Sequence, residues 1–145
     1  MTTLPARWAV RLFRLTVTVV ALLTFAQAVF AGSFLAGYFG ALDDHKNNST
    51  ITVAATAVMI MAALLLWRPG RGPAWPAWVS VLYFAVLALQ TFLGYRRVLA
   101  IHIPLGTAIV AAIVLLLARA WRPFTGRPPK AAAPHHEREL VGERR

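Results

Sequence analysis

Val98 to Ala118 reads VLAIHIPLGTAIVAAIVLLLA, 21 residues in which the only ionisable side chain is His102. About 20 helical residues cross a bilayer core roughly 30 Å thick, so length and composition alone make this segment a membrane span. Trp121-Arg122-Pro123 stops it on one side and Tyr95-Arg96-Arg97 precedes it on the other. Beyond those arginines lies a second apolar run, Pro76 to Gly94, opening on a proline suited to a first helical position. Arg68-Pro69-Gly70-Arg71-Gly72-Pro73 is a break that no helix survives, and it bounds a third run, Ile51 to Trp67. The polar stretch Asp43 to Ser49 separates that run from the first, Leu12 to Leu42. Asp43 or Asp44 can cap a helix there, starting it ahead of the apolar residues and placing His45 in its first turn.

The expected fold is therefore an all-α, four-transmembrane-helix up-down bundle, with spans at about 12–42, 44–67, 76–94 and 98–119. Residues 1–121 form the membrane domain, and 122–145 read as a disordered basic tail with too little apolar surface to fold. The whole chain agrees: 59% of its 145 residues are hydrophobic and 14% charged, with a mean hydropathy of +0.62, which excludes an ordinary soluble domain. Ala26-Gln27-Ala28 has the form of a signal-peptide cleavage site. The run continues through Val29, Phe30, Phe34, Leu35 and Phe39, however, so it is expected to stay as a span. The absence of cysteine excludes disulfides, thiolate metal sites, iron–sulfur clusters and c-type haem attachment.

The net charge of +10 does not form a nucleic-acid-binding patch, because the basic residues punctuate the apolar runs. With the N-terminus inside, 12 of the 15 Lys and Arg lie on the inner side and only Lys46, Arg96 and Arg97 outside. The positive-inside rule then makes both termini cytoplasmic in a multi-pass cell-membrane protein. All five tryptophans fall near that same inner interface. Ala28, Gly32, Ala36 and Gly40 recur every fourth residue, which predicts a smooth face of the first helix packed tightly on a neighbour.

The two halves repeat. Gln27, His45, Thr50 and Leu66-Trp67-Arg68-Pro69 match Gln90, His102, Thr107 and Ala120-Trp121-Arg122-Pro123 in the same order. The longer Gln-to-His spacing of the first half is expected in its outer loop. A duplicated hairpin places equivalent residues across a pseudo-twofold axis along the membrane normal, so His45 and His102 face one another from diagonal helices. Two such imidazoles suit axial ligation of a b-type haem, making both the candidate metal ligands. Asp43 or Asp44 could accept the remaining imidazole N–H, and Arg96, Arg97 or Lys46 could pair with haem propionates. Gln27 and Gln90 read as interhelical hydrogen-bonding groups, against a quinone or substrate contact. The tail histidines, His135 and His136, read as solvated, and no catalytic residue is assigned, because no nucleophile stands with a base.

At Gln27 with Phe34-Leu35-Ala36-Gly37, Leu42-Asp43-Asp44-His45 and His102-Ile103-Pro104-Leu105-Gly106, the chain resembles a family of small four-helix membrane proteins of unknown function common in actinobacteria. More distantly, from about Leu12 to Trp121, it looks like one four-helix half of haem A synthase. That resemblance implies a histidine at the second helix paired with one at the fourth, which His45 and His102 match. It also implies an outer-loop glutamate in the catalytic half and, in many members, a cysteine pair; both are missing here, so haem binding carries over and oxidative activity does not. Expected partners are the lipid bilayer and either a redox partner or a larger membrane complex, with self-association left open. The competing reading is a haem-free accessory or scaffold subunit packed through the smooth first helix. A small multidrug exporter needs a carboxylate within a span, and none of the spans has one.

Overall fold

The computed structural model describes residues 5–124 and is all-helical over them: α1 (Arg7–Leu35), α2 (Ala41–Trp67), α3 (Trp75–Tyr95) and α4 (Leu99–Trp121). Each helix is long and apolar enough to cross a membrane, and the chain is a four-helix membrane bundle. The tail proposed for 122–145, with His135 and His136, lies outside the described residues from position 125 onward. The helices form a ring in which α1 packs on α2 and α4, and α3 packs on α2 and α4. The α1–α3 and α2–α4 pairs are therefore diagonals. The core is a strip of small and medium side chains, Ala9, Phe13, Val17 and Val20 of α1 against Met59, Ala63 and Leu66 of α2 and Ile109, Ile113, Leu116 and Ala120 of α4. Larger apolar residues such as Leu22, Phe25, Leu82 and Leu115 point outward, as expected where the surrounding solvent is hydrocarbon.

The first span differs from the expectation of one run over 12–42. α1 begins earlier, at Arg7, and ends at Leu35, and α2 starts at Ala41. Gly37 takes φ +98, and Tyr38 N–H donates to the Ser33 carbonyl while Gly37 N–H donates to Phe34, a Schellman ending. Hydropathy does not register this break because the turn residues are themselves apolar. α3 ends in the same way, with Arg97 at φ 58 and Val98 N–H donating to Leu93.

The shared turn locates the spacing difference between the halves. Ten positions separate Gln27 from Gly37 but only seven separate Gln90 from Arg97; eight separate Gly37 from His45 and five Arg97 from His102. Of the six extra residues, three lengthen α1 by about 4.5 Å, two enlarge the turn (36–40 against 96–98) and one lengthens the start of α2, so the longer outer loop takes up only part of the difference. Among the described residues the smooth stripe is also not a packed face. Ala28 and Gly32 are exposed, nothing approaches within 4 Å of where a Gly32 Cβ would sit, and Ala36 and Gly40 fall in the turn. α1 instead packs through the Ala9-to-Thr24 face, where Phe13, Val17 and Val20 have more apolar area to bury.

The buried hydroxyls are almost all satisfied locally. Thr52 donates to the Asn48 carbonyl and Thr56 to the Thr52 carbonyl, both at 2.7 Å. Thr24 donates to the Val20 carbonyl and bonds Tyr83 OH at 2.9 Å across the α1–α3 diagonal. Ser80 is the exception, fully buried with no partner for Oγ among the described residues. An unmade hydrogen bond in such a place is a net cost, so Ser80→Ala is expected to stabilise the bundle by about 1 kcal/mol. Reversible unfolding in mixed micelles checks this; a loss of stability would mean the hydroxyl has a partner.

Candidate functional site

α2 and α4 each begin with their histidine near the same end of the bundle, opposite the end that carries the five tryptophans. The two rings meet across the diagonal with centroids 6.3 Å apart and planes inclined at 68°. Each ring is fixed in the same way. His45 Nδ1 lies 3.1 Å from the Gln27 carbonyl and His102 Nδ1 lies 2.9 Å from the Gln90 carbonyl. A carbonyl can only accept, so Nδ1 carries the proton in both rings, and Nε2 is the atom that holds the lone pair whenever the ring is neutral. The glutamines complete the exchange, Gln27 Nε2 donating to the His45 carbonyl and Gln90 Nε2 to the His102 carbonyl, each at 2.9 Å. The repeat read in the sequence is thus a repeated pair of reciprocal bonds, and the glutamines are the interhelical hydrogen-bonding groups they were expected to be.

The acceptor of each imidazole N–H is a main-chain carbonyl and not Asp43 or Asp44. Carbonyls of the preceding helix lie nearer, because each reciprocal glutamine bond draws that backbone alongside the histidine. Asp43 pairs with Lys46 at 3.0 Å across one turn of α2, and Asp44 borders an open pocket with Val29, Phe30, Ser33 and Tyr38. Neither carboxylate caps α2, whose N-cap is Gly40 with no side-chain bond; both sit in the first turn, where negative charge is favourable. Arg96 and Arg97 are exposed in the α3–α4 turn and pair with no carboxylate among the described residues. Arg97 holds a left-handed conformation that costs a non-glycine residue roughly 1–2 kcal/mol, where the first hairpin uses Gly37.

Two contributors were not singled out from the sequence. A Cβ on Gly94 would stand 2.8 Å from His102 Cε1 and 3.2 Å from Nδ1, so the glycine backbone is the surface on which the His102 ring lies. Its signal was a small residue four positions after each glutamine, Ala31 after Gln27 and Gly94 after Gln90, on the same helix face. The other is Asn48, which donates to Gln27 Oε1 at 2.6 Å and to the Leu23 carbonyl at 2.9 Å. Three residues beyond the histidine, the second hairpin has Leu105 instead, and Gln90 Oε1 is buried without a donor among the described residues.

Chemically, the site is a pair of imidazoles whose ring positions are set by backbone on opposite sides. Bonding two imidazole nitrogens to one metal ion at about 2 Å each puts the ring centres about 6 Å apart, close to the separation present. No group of three or more His, Cys, Asp or Glu side chains converges among the described residues. Two imidazole nitrogens by themselves do not fill the coordination sphere of a metal ion. No protein-family model, curated protein or solved structure matches the chain.

Proposed function

We propose that this chain is an integral membrane b-type haem-binding protein, with His45 and His102 as axial ligands, serving electron transfer or haem handling. The observation that carries the reading is the pair of Nδ1–H bonds to the Gln27 and Gln90 carbonyls, which leaves both Nε2 atoms as donors on rings 6.3 Å apart. A metal-bound histidine characteristically gives its other N–H to such a carbonyl, which fixes the tautomer and raises the ligand's basicity. Arg96 and Arg97 would meet the propionates at the rim, and Asp44 has no part at the imidazoles. Bound here, haem iron would take up and release single electrons. One haem near one face does not carry electrons across the bilayer, so the partner would be met on the histidine side. The resemblance to one half of haem A synthase points the same way, without its oxidative activity.

By the positive-inside rule both termini face the cytoplasm of the cell membrane, placing the histidines towards the exterior. The protein purified from haem-replete cells is expected to show a Soret band with low-spin bis-histidine features, lost in His45→Ala and in His102→Ala. A protein that stays colourless after reconstitution, or a spectrum indifferent to both substitutions, overturns the reading. The accessory-subunit reading then leads, favoured by the open Ala28–Gly32 face of α1, against which nothing among the described residues packs.

A further inference from the structure

The end of the bundle opposite the histidines has an electrostatic problem that the described chain does not solve. Arg7, Arg11 and Arg14 follow one another at helical spacing along a single stripe of α1, where like charges a turn apart repel. Arg14 Nε donates to the Ala120 carbonyl at 3.0 Å and its Nη2 to the Arg122 carbonyl at 3.3 Å, both at the end of α4. Its guanidinium also lies 5.3 Å from the centre of the Trp121 ring. Arg14 therefore lies in the α1–α4 seam; Arg11 and Arg7 are exposed about one and two turns nearer the start of α1, and Arg122 is exposed at the end of α4. This seam joins the first and last helices, so no turn ties it, whereas the α1–α2, α2–α3 and α3–α4 seams are each closed by a short connection. Among the described residues the only carboxylates, Asp43 and Asp44, are at the far end. Residues 125–145 add more Lys and Arg than Glu, so that segment is itself basic.

We propose that the α1–α4 seam at the arginine end binds the phosphate headgroup of an anionic phospholipid, which neutralises Arg7, Arg11, Arg14 and Arg122 and holds the bundle closed. The setting suits a lipid rather than a soluble anion. Exposed Trp121 lies against Arg14 and exposed Trp8 sits at the same end of the bundle, both with rings that favour the headgroup level, and α1 and α4 present apolar surface beyond them for acyl chains. Arginine forks also match phosphate oxygens in pairs. This inference does not depend on haem.

The test compares thermal unfolding, followed by tryptophan fluorescence, in nanodiscs of phosphatidylcholine alone and of phosphatidylcholine with phosphatidylglycerol. Wild-type protein is expected to melt several degrees higher with the anionic lipid, because a ligand that binds only the folded state stabilises it. Arg7→Gln/Arg11→Gln, which alters no hydrogen bond within the bundle, is expected to lose most of that gain. The same variant should be no less stable than wild type in phosphatidylcholine, since its repulsion is gone. Equal melting of the wild type in the two lipids, or an undiminished lipid gain in the double variant, overturns the proposal. So does inorganic phosphate in detergent reproducing the whole effect, which would mark a free-anion site. Should the variant not fold, native mass spectrometry of wild type after detergent extraction decides: retained phosphatidylglycerol supports the site, and equal retention of both lipids rejects it.

Discussion

Gly94→Ala is expected to take His102 out of the pair; if haem is bound as proposed, a six-coordinate low-spin spectrum would become a five-coordinate high-spin one, with His45 the remaining ligand. The added methyl would meet His102 Cε1 at 2.8 Å and Nδ1 at 3.2 Å. The ring cannot retreat without stretching the 2.9 Å bond from Nδ1 to the Gln90 carbonyl. A close-packed site yields by a few tenths of an ångström, and the conflict here is larger than that. Optical and electron paramagnetic resonance spectra of the purified protein check the spin state. In haem-free protein, nitrogen-detected NMR of the His102 ring checks the same displacement as loss of its fixed Nδ1–H tautomer. An unchanged spectrum in both would show that Gly94 does not position the ring.

Gly70→Ala is expected to be the most damaging single methyl for stability, costing about 3 kcal/mol, at the upper end for overpacking. A Cβ there would come within 2.6 Å of the Leu66 carbonyl oxygen and 2.9 Å of both the Leu65 carbonyl oxygen and Ala9 Cβ. None of these is the tip of a flexible side chain. Relief requires the α2–α3 connection to move off α1, which also breaks the 2.9 Å bond from Ala6 N–H to the Gly70 carbonyl. Gly32→Ala, with nothing within 4 Å, is the matched control and should be nearly neutral. Equilibrium unfolding in mixed micelles measures both, and equal stabilities for the two would sink the packing argument.

Much of the architecture was legible because a bilayer leaves a chain few choices. Backbone N–H and C=O groups have no water to bond in hydrocarbon, so Ile51–Trp67 and Val98–Ala118 have to be helices once they are long and apolar enough. Short polar or glycine-proline breaks between four such runs then make neighbours antiparallel and put α2 and α4 on a diagonal. The repeat of Gln27 and His45 in Gln90 and His102 was readable as spacing, and it brought forward the two imidazoles that do meet. The end of α1 was not readable, since Phe34 to Leu42 stays apolar through a turn that depends on the backbone at Gly37.

The order of residues by itself determined how many helices there are, which end carries the tryptophans and arginines, and which histidines share the other end. All of these follow from transfer free energies and helical period, which are local properties. Only the tertiary structure decided what each imidazole N–H bonds to. Asp43 and Asp44 stand beside His45 in the chain, yet the acceptors come from carbonyls 18 residues before His45 and 12 before His102. Close approach of two helices selects a partner by position in space, and a glycine such as Gly94 matters only for what its missing side chain lets the facing helix do.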